Sequence, residues 1–296
     1  MLTYDLCIAW NWEYDSDFIG LLDQACRERG LSLLQVTPGN LEHIIYQLNA
    51  QEISFGAFFD RASEADERFL PLVRLANESG VRFINSHEYA VRAADKSVMH
   101  PVLIHAGLHT PYTIVLPSWD EQPEVEQADL SPLGEHFVIK PACGSGGDGV
   151  LRQAASWAQV LEARREHHFD KYLLQACIEP KILGDRPAWF RVIYCTGKIY
   201  ICWWSHRNGI YIPVTPEEEN CHELGPLYDA GLKLAEISGL DLFSTEIAYT
   251  PDDLFVVVDY VNDPIDLRMQ SNAMDGVPDW MVQDITRRLA EMVGGE

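Results

Sequence analysis

Positive charge is scarce in this chain: 296 residues carry 22 Lys and Arg against 45 Asp and Glu, a formal net charge of −23. Such a surface repels phosphate backbones and anionic lipid, which argues against nucleic acid and membranes as partners. An anionic ligand must then be met by a local concentration of the few cations. Long apolar runs are also missing, and none reaches the ~20 residues a membrane-spanning helix needs. The start, MLTYDLCIAWNWEYD, has no basic n-region and no small-residue cleavage site, so a cytoplasmic location is expected. The seven cysteines (Cys7, Cys26, Cys143, Cys177, Cys195, Cys202, Cys221) include no C-x-x-C pair and read as reduced, buried thiols. No Ser/His/Asp or Cys/His arrangement marks a built-in nucleophile.

With 47% hydrophobic residues, the chain is long enough for two or three packed units. Its first ninety-odd residues alternate strand-like runs (Tyr4–Trp12, Leu31–Pro38, Ile53–Asp60, Val81–Asn85) with amphipathic helical segments, two of them closed by Gly30 and Gly80. That alternation predicts a parallel α/β sheet, with an Asn cap at Asn40 opening its second helix. The polar cluster Asn11–Asp17, at the end of the first strand, lies where an open α/β sheet binds ligands. The acidic stretch Ser118–Pro132 reads as a surface loop. Beyond it the pattern turns antiparallel, with hairpin turns expected at Thr196–Lys198 and Thr250–Asp253 and a closing amphipathic helix over Pro278–Val293.

The decisive stretch is VIKPACGSGGDGV, Val138–Val150. Its G-S-G-G-D-G satisfies G-x-G-x-x-G, but a dinucleotide-binding turn needs a helix to begin within the glycines, and V-L-R-Q after Gly149 is extended. A P-loop fails because no Lys-Ser or Lys-Thr follows the last glycine. What remains is a glycine-rich hairpin, either a flexible surface loop or a phosphate lid that donates backbone amides. Lys140, embedded in an apolar strand, favours the lid, because an unpaired buried ammonium is costly and a polyphosphate would partner it. Two acids are similarly embedded: Glu246 in STEIAY and Asp259 at the end of FVVVD.

Taken in order, NSHEYAVRAADK followed by LIHAGLHTPYT, IKPACGSGGDGV, LLQACIEP, FRVIYCTGKIY, STEIAY and VVVDYVNDP resemble the ATP-grasp superfamily over roughly residues 85–290, most nearly its carboxylate–amine or thiol ligases. The resemblance implies a Rossmann-like parallel α/β domain (residues 1–94), followed by two α+β subdomains that sandwich a nucleotide. These are a small subdomain with the glycine lid (95–172) and a C-terminal subdomain with hinge and metal site (173–296). It implies ATP and Mg²⁺ as cofactors, with Mn²⁺ an admissible substitute. Lys96 and Lys140 are expected on the α- and β-phosphates, with Ser145, Gly146 and Gly147 over the γ-phosphate. The main chain of Gln175, Ala176, Cys177 and Ile178 is expected on adenine, and Glu179 on the ribose.

The resemblance places Glu246, Asp259 and Asn262 on the metal. The family's last acid and asparagine normally stand two apart on one strand face, whereas Asp259 and Asn262 are three apart, with Tyr260 at the usual acidic position. A β-bulge at Tyr260–Val261 would restore the geometry; without one, Asp263 takes over from Asp259 or metal binding weakens. Arg191 is a candidate to stabilise a transferring phosphoryl group, and Arg207 and Arg268 to hold a substrate carboxylate or acyl phosphate, although ordinary surface ion pairs fit the last two as well. The expected activity is ATP-dependent activation of a carboxylate as an acyl phosphate for attack by an amine or similar nucleophile, on small-molecule or peptide substrates. A small-molecule kinase and a non-catalytic nucleotide-binding module are the alternatives, and a homodimer is compatible with the family.

Overall fold

A computed structural model of the chain describes residues 1–144, 147–205 and 208–295. The first segment runs β1 (Leu2–Trp10), α1 (Ser16–Glu28), β2 (Leu33–Val36), α2 (Leu41–Asn49), β3 (Ile53–Arg61), α3 (Leu70–Glu78), β4 (Arg82–Ile84). Its strands form a parallel sheet in the order β2-β1-β3-β4. Both faces are covered, which is why Leu6–Ala9 is a continuous buried run rather than an alternating one. Leu6 and Ile8 pack with Phe18 and Leu22 of α1, whereas Cys7 and Ala9 pack with Leu41, Phe69 and Leu72 on the other face. Asn40 does stand at the N-cap of α2, but its side chain accepts from the Thr37 amide and donates to the Gln35 carbonyl instead of binding the helix amides.

Helices α4 (His87–Ala94) and α5 (Lys96–His105) lead to β5 (Thr113–Leu116), β6 (Phe137–Pro141), β7 (Leu151–Ala154), α6 (Trp157–Glu166) and β8 (Tyr172–Ala176). These strands make an antiparallel sheet in the order β5-β8-β6-β7. Tyr172 and Leu174 face α6, and Leu173 and Gln175 face the opposite side. The short pair β9 (Ile182–Leu183) and β10 (Arg186–Pro187) follows, then β11 (Trp189–Cys195), β12 (Lys198–Trp204), β13 (Tyr211–Pro213), α7 (Pro216–His222), α8 (Gly225–Ser238), β14 (Leu242–Tyr249), β15 (Phe255–Asn262) and α9 (Asp279–Gly294).

The third sheet is antiparallel, in the order β13-β12-β11-β14-β15. One face packs on α4, α5 and α8 through Phe190, Val192, Ile247 and Val257. Its other face changes character along each strand: Ile193, Cys195 and Leu242 join the core of β1 and α9, whereas Arg191 and Glu246 come to the open end. The hairpins at Thr196–Gly197 and Thr250–Asp253 turn through positive φ at Thr196, Gly197 and Asp253. Helices α7 and α8 fall in a stretch to which sequence reading assigned no element, although Thr215 and Glu218 form a reciprocal capping box.

Four cysteines are buried, but Cys143, Cys177 and Cys221 are exposed, so the expectation of buried thiols holds only for part of the set.

At the junction of the first and third sheets a guanidinium is fully enclosed. Arg61 donates from Nε (2.9 Å) and Nη2 (2.7 Å) to the Asp15 carboxylate and from Nη2 to the Ile265 carbonyl (2.9 Å), both side chains being 2% exposed. Removing one member of such a pair strands the other's charge. Asp15→Ala should therefore lower unfolding free energy by about 3–5 kcal/mol in urea titration, and a loss below about 1 kcal/mol would contradict this role.

Candidate functional site

A cleft of about 670 Å³ opens between the lid sheet and the third sheet. Of the residues singled out in the sequence, Lys96, Lys140, Gly147, Gln175, Ala176, Cys177, Ile178, Glu179, Arg191, Glu246, Asp259 and Asn262 all line it. Ser145, Gly146 and Arg207 lie outside the described residues. Arg268 does not line the cleft. It stands over the Trp12 ring at 5.6 Å, donating from Nη2 to Asp266 (2.6 Å) and to Asp275 (2.9 Å). The Asp266 hydrogen bond first, with Asp275, holds its guanidinium firmly charged.

Lys96 opens α5, with Asp95 as N-cap accepting from the amides of Ser97 and Val98. Its backbone amide donates to the Ala142 carbonyl (2.9 Å), and its Nζ donates to the Gly144 carbonyl (3.2 Å) and lies 3.9 Å from Asp259 Oδ1. The helix start is thus pinned to the beginning of the glycine loop, whose Gly144, Gly147 and Gly149 all adopt positive φ.

Lys140 comes from β6. It is 7% exposed, donates from Nζ to the Val258 carbonyl (3.1 Å), and sits 5.4 Å from the centre of the Tyr260 ring. Burial pulls its ammonium down to about 8, against the opposing pull of Asp259.

The acids are placed by strand pairing. Arg191, Glu246 and Asp259 are direct cross-strand neighbours on β11, β14 and β15. Arg191 Nη1 donates to Glu246 Oε1 (3.0 Å), Trp189 Nε1 donates to Glu246 Oε2 (3.2 Å), and the Arg191 guanidinium stacks 4.6 Å from the Trp204 ring. Burial works against ionisation of Asp259, but Lys96, Lys140 and Arg191 outweigh it and hold the carboxyl below its usual range.

The three-residue spacing of Asp259 and Asn262 is resolved by register. Ile247 pairs with Val257, Glu246 with Asp259, and Ser244 with Asn262, so β15 carries two extra residues relative to β14. The first irregularity turns Val258 and Asp259 both to the cleft; the second turns Tyr260 and Val261 both into the core and returns Asn262 to the cleft. Asp263 lies off the cleft, where burial pushes it up to about 7 beside Asn85, Arg61, Glu64 and Asp60. Of the two acids left open by the sequence, Asp259 is the one in the cleft.

Two carboxylates and an amide are hard oxygen donors of the kind Mg²⁺ takes, few enough to leave positions for water and phosphate. Both carboxylates face a cation, Glu246 with Arg191 and Asp259 with Lys96. The residues present therefore fit a divalent ion. Among the described residues no group of three His, Cys, Asp or Glu side chains forms a denser cation site.

Sequence reasoning missed Arg152 and Gln153, which both line the cleft. Neighbours on a regular strand point to opposite faces. Here β7 has one extra residue against β6 (Phe137 pairs with Ala154, Ile139 with Leu151), and Gln153 adopts φ +61°. The only sequence signal was an arginine just past the glycines of an acidic chain.

No family model and no curated protein sequence matches the chain. Solved structures do match over nearly its full length. A RimK domain protein ATP-grasp from Sphaerobacter thermophilus superposes with TM-score 0.66 at 21% identity, covering 98% of this chain and 100% of that one. D-alanine–D-alanine ligase from Bacillus anthracis complexed with ATP gives 0.64 at 12%, covering 99% of each. The ATP-grasp ligase PsnB complexed with minimal precursor, Mg and ADP gives 0.62 at 14%, covering 99% of this chain and 98% of that one. The chain therefore has the ATP-grasp fold. No helix among the described residues is long and apolar enough to cross a membrane.

The Lys140 shift fixes a pH dependence. The unfolded lysine titrates near 10.5 and the folded one near 8, so the unfolded chain binds the extra proton between these values. Stability at this position rises across that window, and the full cost of burying the charge applies below pH 8. Lys140→Met should stabilise the ligand-free protein at pH 7 by up to about 3 kcal/mol, with the gain shrinking towards pH 10.5. Urea unfolding at pH 7 and 10 checks it; an equal difference at both pH values would contradict the buried charge.

Proposed function

We propose that the cleft binds ATP with Mg²⁺ and that the protein is an ATP-dependent ligase forming a C–N or C–S bond. One observation carries the reading: in a chain of net charge −23, Lys96, Lys140, Arg152 and Arg191 converge on the same cleft as the Glu246–Asp259 pair and Asn262. A polyphosphate completes the cations and a divalent ion completes the acids. In this reading adenine is held at the hinge Gln175–Ile178, chiefly by the main chain of Cys177 and Ile178, since Gln175 pairs with strands on both sides and the Ala176 amide donates to the Tyr112 carbonyl; Glu179 is assigned to the ribose.

In this reading Lys96 and Lys140 hold the α- and β-phosphates, and the glycine loop covers the γ-phosphate. A substrate carboxylate oxygen attacks the γ-phosphorus and ADP leaves. An amine or thiol then attacks the acyl carbon, releasing phosphate. Arg191 stabilises the charge that builds on the transferring phosphoryl group and the acyl phosphate. Mg²⁺, held by Glu246, Asp259 and Asn262, neutralises phosphate charge when bound. Positioning and charge neutralisation suffice for such chemistry, which matches the want of an activated nucleophile: Cys177, exposed at the hinge, has its thiol raised by burial and by Glu179. Small-molecule or peptide carboxylates and amines are the proposed substrates. The three-residue spacing of Asp259 and Asn262, which on a regular strand would weaken metal binding, loses its force once register returns Asn262 to the cleft.

Thermal unfolding with ATP tests the reading. At about 100 times its dissociation constant the nucleotide should add about 2.7 kcal/mol of stability, and Mg²⁺ should enlarge the shift. Asp259→Asn should abolish the Mg²⁺-dependent part and leave metal-free nucleotide binding. A shift of equal size with Mg²⁺ and with EDTA would refute the metal assignment, and no shift at all would refute the nucleotide site.

A further inference from the structure

Tyr260 is fully buried and does not itself line the cleft, although Gln175 and Lys140, which it meets, do. Its hydroxyl receives a hydrogen bond from Gln175 Nε2 (2.9 Å) and lies 2.6 Å from His100 Nδ1, whose ring stacks on the phenol with centroids 5.9 Å apart and planes 20° from parallel. Burial and the neighbouring Lys140 hold the His100 imidazole below its usual range, and the tautomer sets which partner donates in its hydrogen bond with the phenol. The same Gln175 amide donates to Thr113 Oγ1 (3.0 Å), which donates to the Pro111 carbonyl (2.8 Å). The Lys140 ammonium rests over the phenol ring.

Each element attached to this phenol carries a group the site needs. Helix α5, which holds His100, begins with Lys96; β8, which holds Gln175, runs into the hinge; β6 supplies Lys140; and β15 carries Asp259 and Asn262 on either side of Tyr260 and Val261. The first bulge of β15 turns Asp259 to the cleft and, by alternation, the Tyr260 ring inward, so the displacement of the acid by one residue and the inward tyrosine are one structural event.

We propose that Tyr260 is a positioning residue that sets the spacing between the nucleotide-holding sheet and the acid-bearing strand, so that a triphosphate anchored at the hinge reaches the metal pole. The proposal rests on the reading of the cleft as a Mg·ATP site.

Tyr260→Phe removes the hydroxyl and keeps the ring under Lys140, and Thr113→Val loosens the same chain from its far end. Isothermal titration with AMP, which engages the adenine end, and with Mg·ATP, which spans both ends, separates positioning from general support. Tyr260→Phe should leave AMP affinity within about two-fold of wild type, weaken Mg·ATP about ten-fold, and lose most of the affinity that Mg²⁺ adds to ATP; Thr113→Val should show the same selectivity at smaller size. Equal weakening of AMP and Mg·ATP in both variants, or unchanged binding of both ligands, overturns the proposal. If Tyr260→Phe does not fold, Thr113→Val alone decides between these outcomes. Wild-type protein that binds neither AMP nor Mg·ATP overturns the nucleotide reading itself, and this proposal with it.

Discussion

The cleft is organised around one incompletely compensated charge, the buried ammonium of Lys140. The protein gives it a single carbonyl, from Val258, the face of the Tyr260 ring, and the field of Asp259 and Glu246. These do not repay the loss of water, since burial still dominates and the group titrates near 8. A group left in that condition in a cleft marks a place where a ligand supplies what the fold withholds. Lys96, Arg152 and Arg191 line the same cavity, so cations gather there in a strongly negative molecule.

The acid wall depends on breaking strand alternation twice. On a regular strand, residues three apart face opposite sides, and Asp259 and Asn262 would be separated by the sheet. The two irregularities of β15 bring both to the cleft, free the Val258 carbonyl for Lys140, and bury Tyr260. A third irregularity at Arg152–Gln153 brings two further side chains to the opposite wall. In each case a local departure from sheet geometry aims functional groups that a regular sheet would divide.

Much of this was legible in the sequence because it rests on local pattern. Strand–helix alternation gave the parallel sheet, the extended V-L-R-Q excluded a dinucleotide turn, and lone charges in apolar strands pointed to Lys140, Glu246 and Asp259. Even the bulge beside Tyr260 could be stated as a condition, because D-x-x-N spacing conflicts with a one-faced strand. What was not legible depends on partners far apart in the chain. The phenol of Tyr260 meets Gln175 and His100, 85 and 160 residues away. Arg268, an apparent candidate for a substrate anion, is occupied by Asp266 and Asp275. The inward turn of Arg152 is set by register with β6, and alternation alone would have put it or Gln153 on the wrong face. Asn40 shows the same limit at short range: the residue type fits a helix cap, yet its side chain finds better partners in the preceding turn.

The most direct test of the account is the location of a divalent ion. Crystals grown with Mn²⁺ and a non-hydrolysable ATP analogue should show an anomalous peak within roughly 2.0–2.3 Å of carboxylate oxygens of both Glu246 and Asp259, with Asn262 beside it and the triphosphate running towards Lys96 and Lys140. A peak at Asp263 or Asp266 instead, or an ordered analogue with no metal between Glu246 and Asp259, would contradict it.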